Sequence, residues 1–164
     1  MKTLKRRKKE GKTDYLKRMK LLKSEKPRLV FRKTNSYVIS QYVESESAQD
    51  KVIFGINSKM LLNHGWPENL KGSLKSIPAS YLTGYLTAKK IQKDKLESPI
   101  VDLGMQRIIE KTRIFAFIKG LIDGGIEIEC PKEKFPEEER LKGKNAKEDI
   151  SKTVLEVKSK IDKL

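Results

Sequence analysis

The sequence predicts an α/β domain, a mixed β-sheet with flanking helices, and three observations carry that expectation. Three short runs rich in Val, Ile, Tyr and Phe follow one another at residues 28–33, 37–44 and 51–56. Polar turn clusters separate them, Thr34-Asn35-Ser36 and the stretch 45–50, which suits two hairpins. Two helical patterns with a short apolar strand between them come next, so strands and helices share one core. The apolar residues concentrate between Leu29 and Ile128. That middle stretch is long enough for a single core, and we divide the chain into a basic arm (1–27), an α/β body (28–130) and a charged helical C-terminal extension (131–164).

The arm opens with Lys5-Arg6-Arg7-Lys8-Lys9. Thr13 or Asp14 can cap a short helix in which Tyr15, Met19 and Leu22 form a thin apolar stripe, with Lys17, Arg18, Lys20 and Lys23 over the remaining surface. Pro27 ends the segment. On the first strand Leu29 and Phe31 share one face, and Arg28, Val30 and Arg32 the other, because side chains alternate with period two. One face can pack on helices while Arg28 and Arg32 meet phosphate. On the second strand Val38, Ser40 and Tyr42 alternate with Tyr37, Ile39, Gln41 and Val43, and the pattern leaves the exposed face open.

Residues 57–63 read as a short helix closed by His64-Gly65-Trp66-Pro67, and a polar loop runs on to Ser76. Ser76 is a cap with Pro78 just inside. Tyr81, Leu82, Tyr85, Leu86 and Ala88 then recur at helical spacing, and Lys89-Lys90 suits the C-terminal end. Ala79, Gly84 and Ala88 are small enough to let this helix lie close on a sheet. A short strand ends in Asp102-Leu103-Gly104, and a loop with Arg107, Lys111 and Arg113 leads to a second helix. Its wide apolar face is Ile114, Phe115, Phe117, Ile118, Leu121 and Ile122, stopped by Gly124-Gly125. Ile126-Glu127-Ile128 is a candidate closing strand. Beyond Pro131 one or two amphipathic turns are expected at 136–142, and Ile150, Val154, Val157, Ile161 and Leu164 then recur at spacings of four and three. That stripe can dock on its own domain or on a neighbouring protein.

Charge narrows the function. Of the first 33 residues fifteen are Lys or Arg and three are acidic, so this segment holds +12 of a formal +15. A basic arm on a near-neutral body suits polyphosphate, since each neutralised phosphate releases a counterion. Tyr15 within the arm can pack on a nucleotide. The single cysteine, Cys130, excludes an internal disulfide and builds no zinc site by itself, as expected of a reducing cytoplasm. No apolar run approaches the ~18 residues of a membrane span, and residues 1–10 lack a signal-peptide core. A soluble intracellular protein with no membrane partner, no metal and no cofactor is expected.

Catalytic chemistry has little to build on. His64, the only histidine, has no carboxylate or cysteine near it in sequence, and Gly120, Gly124 and Gly125 do not follow a strand as a phosphate loop would. The sharpest enzymatic alternative joins Asp102, Asp123 and Glu127 around magnesium for phosphodiester cleavage.

A family resemblance rests on Arg6-Arg7 followed by residues 10–15 (EGKTDY), on Lys26-Pro27-Arg28-Leu29-Val30 with Arg32-Lys33 and Asn35, and on His64-Gly65-Trp66. It continues through residues 78–84 (PASYLTG), Val101-Asp102-Leu103-Gly104, Phe115-Ala116 to Gly120 with Asp123 and Gly125, and ends near Phe135-Pro136 and Arg140-Leu141-Lys142-Gly143. In these motifs the chain resembles the large-subunit ribosomal protein eighteen family in its archaeal and eukaryotic branch. The resemblance implies a ribonuclease-H-like topology and a structural, non-enzymatic role in the cytoplasmic ribosome. It further implies binding of 5S rRNA and its attachment to the major large-subunit rRNA in the central protuberance, beside neighbouring ribosomal proteins that include the other 5S rRNA-binding one. Carried over residue by residue, Arg6, Arg7, Lys12, Tyr15 and Arg18 belong to the rRNA-gripping arm and Arg28, Arg32, Lys33 and Asn35 to the first hairpin. Lys8, Lys9, Thr13 and Lys23 complete the expected RNA-binding set. The chain departs from the family in its polar second hairpin loop and in the helix after Lys144. A nonspecific nucleic-acid-binding protein or RNA chaperone is the alternative.

Overall fold

The computed structural model describes residues 3–47, 49–144 and 150–163. Its sheet has four strands, β1 (Arg28–Lys33), β2 (Val38–Glu46), β3 (Gln49–Asn57) and β4 (Ile100–Asp102), in the order β3-β2-β1-β4. The two hairpin pairings are antiparallel, and β4 lies parallel to β1 with Leu29 opposite Val101. The sheet is mixed, as expected. Most of the stretch expected as a second loop is strand instead: Ser45 pairs with Asp50 and Glu46 with Gln49, with Ser47 at φ 48° where the hairpin reverses. A tight reversal lets the ladder run on through polar residues, because backbone bonds do not depend on side-chain polarity. Ala48 lies outside the described residues. A bulge between Tyr42 and Val43 buries both side chains, and settles that Val38, Ser40 and Tyr42 face inward.

Helix α1 (Arg6–Lys9) and helix α2 (Tyr15–Leu22) form the arm, and neither contributes a buried residue. Between β3 and the main helix the chain makes two tight 3-10 segments, Ser58–His64 and Glu68–Ser73. The first replaces the expected short helix, with Asn57 as its cap and Gly65 at φ 100° as its stop. Trp66 is buried beside it and donates from Nε1 to the Leu70 carbonyl at 3.2 Å.

Helix α3 (Ile77–Lys93) starts where its cap predicts, the Ser76 hydroxyl accepting from the Ala79 N–H at 3.4 Å. It runs through the middle of the molecule, buried on nearly every side. Its small residues serve a different neighbour from the one expected. Gly84 meets helix α4 (Arg113–Asp123): a Cβ there would stand 2.2 Å from the Phe117 carbonyl oxygen, and one at Gly120 would stand 2.1 Å from that of Tyr81. Ala88 packs on Gly124 in the same seam. Glycines facing each other let the two backbones touch, which two helices need more than a helix lying on a sheet does.

Two apolar clusters flank α3. One joins Leu29, Phe31, Val38 and Tyr42 of the sheet to Ile114, Phe117 and Leu121, with the Phe31 and Phe117 rings 4.6 Å apart. The other gathers Leu61, Trp66, Leu74 and Leu82 with the C-terminal segment. Ile126-Glu127-Ile128 is not a strand: Ile126 and Ile128 pack into the first cluster, but no ladder forms beside the short edge strand β4. Helix α5 (Glu138–Lys142) and helix α6 (Ser151–Ile161) follow. Ile150, Val154, Val157 and Ile161 are buried against α3 and its neighbours, so the stripe docks on its own domain. Leu164 lies outside the described residues. Cys130 is a half-buried free thiol, and burial, partly opposed by Lys134, pushes it above its ordinary pKa.

Candidate nucleic-acid interface

The arm is ordered by polar contacts. Helix α1 stops at Gly11, whose φ of 64° no longer fits a helix. Glu10 joins Arg6 at 3.1 Å and Lys12 at 2.8 Å, both well exposed and therefore weak. The Arg7 Nε donates to the Thr13 hydroxyl at 2.9 Å and folds α1 back on the start of α2. Asp14, rather than Thr13, caps α2: its Oδ1 accepts from the N–H groups of Leu16 and Lys17 at 3.0 and 3.1 Å.

Helix α2 meets the body through its cations. The Lys17 ammonium donates to the Gly104 carbonyl at 3.1 Å, and the Arg18 guanidinium grips both oxygens of Asp50 at 3.0 Å. The expected apolar stripe docks only in part: Tyr15 and Leu22 are half-buried, while Met19 is 54% exposed. Beneath α2 lie the Asp50 carboxylate and the Gly104 carbonyl, which its cations meet.

A chain of ion pairs continues inward. Arg28 is only 2% exposed. Its Nη2 donates to Asp50 at 2.7 Å and to the Ser45 hydroxyl at 2.9 Å, and its Nη1 to Asp102 at 3.3 Å. Asp102 also lies 3.6 Å from Arg32 Nη2, and its backbone carbonyl accepts from Arg32 Nη1 at 2.9 Å. The Gly104 N–H donates to its other carboxylate oxygen at 2.7 Å. Burial raises the Asp50 carboxyl, but hydrogen bonds from Arg18 and Ser45 and the charge of Arg28 together outweigh it, and its pKa lies below the ordinary value. Arg28, expected on the surface beside Arg32, is instead the buried hub that joins β1, β3 and β4.

The sequence-predicted residues therefore separate. Arg7, Lys12, Thr13, Arg18, Arg28 and Arg32 come together around one cleft of about 150 Å³. Arg6, Lys8 and Lys9 lie on the outer helix α1, Lys23 is exposed just past α2, and the Lys5 ammonium covers the Tyr15 ring at 4.6 Å. Lys33 and Asn35 are exposed at the far end of β1, about 17 Å along a six-residue strand from Arg28. Sequence reasoning missed Asp50, Ser45 and the docking role of Lys17. Asp50 carries no local signal, since only register across two hairpins brings it to Arg28.

The acidic trio weighed for magnesium is not assembled. Asp102 serves the arginines, and Asp123 accepts from the Tyr81 hydroxyl at 3.0 Å and from Lys119 at 2.7 Å. Among the described residues no group of three or more His, Cys, Asp or Glu side chains is placed to hold a metal ion.

A family model described as ribosomal large subunit proteins 60S L5 and 50S L18 matches residues 1–99, the stretch that holds the arm, both hairpins and α3. The large ribosomal subunit protein uL18 of Korarchaeum cryptofilum is 42% identical over 140 residues, covering 85% of this chain and 70% of that protein. Those of Methanoregula boonei and Methanoculleus marisnigri are 41% and 43% identical over 140 and 138 residues, with 85% and 84% of this chain and 78% and 77% of theirs covered.

Proposed function

Because the chain belongs to the uL18 family of large-subunit ribosomal proteins, we propose that its arm and first strand grip folded 5S rRNA and fasten it to the major rRNA of the central protuberance. Membership itself makes it a structural constituent of the large ribosomal subunit rather than an enzyme, with rRNA and other ribosomal proteins as partners. The observation that carries the finer reading is the cationic cleft, in which Arg7, Lys12, Lys17 and Arg18 of the arm and Arg32 of β1 come together, with α2 tied to the body at Gly104 and Asp50.

Such a surface reads shape. The major groove of A-form RNA is too deep and narrow for side chains, so recognition falls on phosphates and 2′-hydroxyls at fixed spacing. A preset spacing of guanidinium and ammonium groups favours one folded RNA over another, whereas a loose polycation does not. Lys33 and Asn35, at the far end of β1, supply a second contact for the same RNA or for the major rRNA. Beside the cleft Leu4, Tyr15, Leu16 and Met105 line an apolar groove, a surface suited to a neighbouring ribosomal protein such as the other 5S rRNA-binding one.

The test is filter binding of the purified chain to 5S rRNA, transfer RNA and duplex DNA across a salt series. Selective binding of 5S rRNA that survives physiological salt is expected. Equal, salt-labile binding to all three would overturn the reading in favour of a nonspecific nucleic-acid-binding protein or chaperone.

A further inference from the structure

We propose that Asp50, a carboxylate on the very surface that meets a polyanion, is a positioning residue that seats helix α2 on the sheet before RNA arrives. The inference rests on the RNA-binding reading above. By charge alone Asp50 is misplaced there, since it repels phosphate and neutralises two of the cations. Its contacts account for it. It accepts from both terminal nitrogens of Arg18, from Arg28 and from the Ser45 hydroxyl. Arg28 is buried and held in turn by Asp102, so the position of Asp50 is fixed from inside the domain. A continuous line Asp102–Arg28–Asp50–Arg18 thus connects β4, β1, β3 and α2.

No side chain of helix α2 is fully buried, and Tyr15, Leu21 and Leu22 are only half-buried. The polar contacts of Lys17 and Arg18 tie it directly to the body. A bidentate guanidinium–carboxylate pair fixes direction as well as distance, which a single lysine contact does not. With α2 seated, Lys12, Lys17 and Arg32 share one cleft. With it loose, their spacing is lost, and the RNA must order the arm at the moment of binding.

The test uses the full-length chain carrying Asp50→Ala, Asp50→Asn or Glu46→Ala. Each change removes one negative charge, and only the first two touch the line of ion pairs. Binding to 5S rRNA is measured across a salt series, with amide hydrogen exchange of residues 16–22 in the free protein. If the docked arm drops to a tenth of the population, affinity for 5S rRNA falls roughly tenfold although the protein has become more positive. Exchange in α2 accelerates in both Asp50 variants, while Glu46→Ala binds at least as tightly as wild type. Unchanged or tighter binding in the Asp50 variants, or unaltered exchange, overturns the inference and leaves Asp50 a merely repelling charge. Wild-type binding without preference for 5S rRNA overturns the functional reading, a result distinct from wild-type selectivity that the variants leave intact.

Discussion

Replacing Gly120 by alanine adds one methyl group where helices α3 and α4 touch backbone to backbone. The new Cβ would lie 2.1 Å from the Tyr81 carbonyl oxygen and 2.9 Å from the Tyr85 nitrogen, whereas ordinary contact begins at 3.4 Å. Neither neighbour is the far end of a flexible side chain, so the helices themselves have to part. Parting them loosens the Phe31–Phe117 contact and the seam from Gly84 to Gly124. Overpacking of this kind costs about 1–3 kcal/mol, and the upper end applies when backbone must move. Against it stands a helix-propensity gain of about 1 kcal/mol for alanine over glycine. The clash wins, and a net loss of about 2 kcal/mol follows. Urea unfolding followed by circular dichroism reads this as a midpoint lower by about 1 M, taking a slope of about 2 kcal/mol per molar. Gly84→Ala, with its Cβ 2.2 Å from the Phe117 oxygen, should behave alike, and Gly72→Ala, with nothing within 4 Å, should leave the midpoint in place or raise it. A midpoint for Gly120→Ala equal to or above wild type would refute the reasoning, because the helix crossing would then tolerate a wider separation at no cost.

The arginines of β1 should divide in their effects. Arg28→Ala strands Asp102 and Asp50 beside a buried gap and should lower stability by about 3 kcal/mol in the same unfolding assay, since removing one partner leaves an uncompensated charge. Arg32→Ala, at the more exposed edge of the cleft, should instead weaken 5S rRNA binding and reduce its salt slope by about 1; an unchanged slope removes Arg32 from the interface. Tyr15→Ala should weaken binding by about 1–3 kcal/mol where the ring stacks on a base, and a loss near zero makes Tyr15 a prop for Lys5 alone. At alkaline pH the contact between α3 and the end of α6 should weaken. Burial, the hydrogen bond to Asp162 and the Asp162 charge push the Tyr85 hydroxyl up to about 12, so its stabilising contribution is full below pH 10 and is lost as pH rises toward 12. Thermal midpoints from pH 9 to 12 should fall more steeply for wild type than for Tyr85→Phe, and parallel curves would exclude Tyr85 as the cause.

What was legible in the sequence was local. Strand β1 has its expected bounds because Leu29 and Phe31 alternate with Arg28, Val30 and Arg32, and Pro27 and Thr34 bracket them. Helix α3 starts at its expected cap, since a serine accepting an N–H acts within one turn. The basic arm was visible from charge, and its cap reduced to a choice between adjacent residues. What depended on distant partners was not visible. Nothing around Asp50 announces Arg28, which lies two strands away in the sheet. Spacing identified Gly84 and Ala88 as places of close approach but not the helix that approaches. The stripe of α6 was plain, yet only the fold shows that it covers Leu61 and Trp66. At Ile126 and Ile128 alternating burial looked like a strand, because a residue can pack inward in extended backbone without a ladder beside it.

The division of the core between two apolar clusters has a consequence for how the nascent chain matures. The cluster built from the sheet and α4 is complete once residues 29–135 are free, whereas the other awaits Ile150 to Ile161, synthesised afterwards. Because chains fold from the N-terminal side as they are made, the basic arm and its cleft can take shape while Leu61, Leu74 and Leu82 still lack their cover. The exposed apolar face would mark an unfinished protein to chaperones at the moment its cationic cleft is already assembled, and docking of α6 would erase that mark.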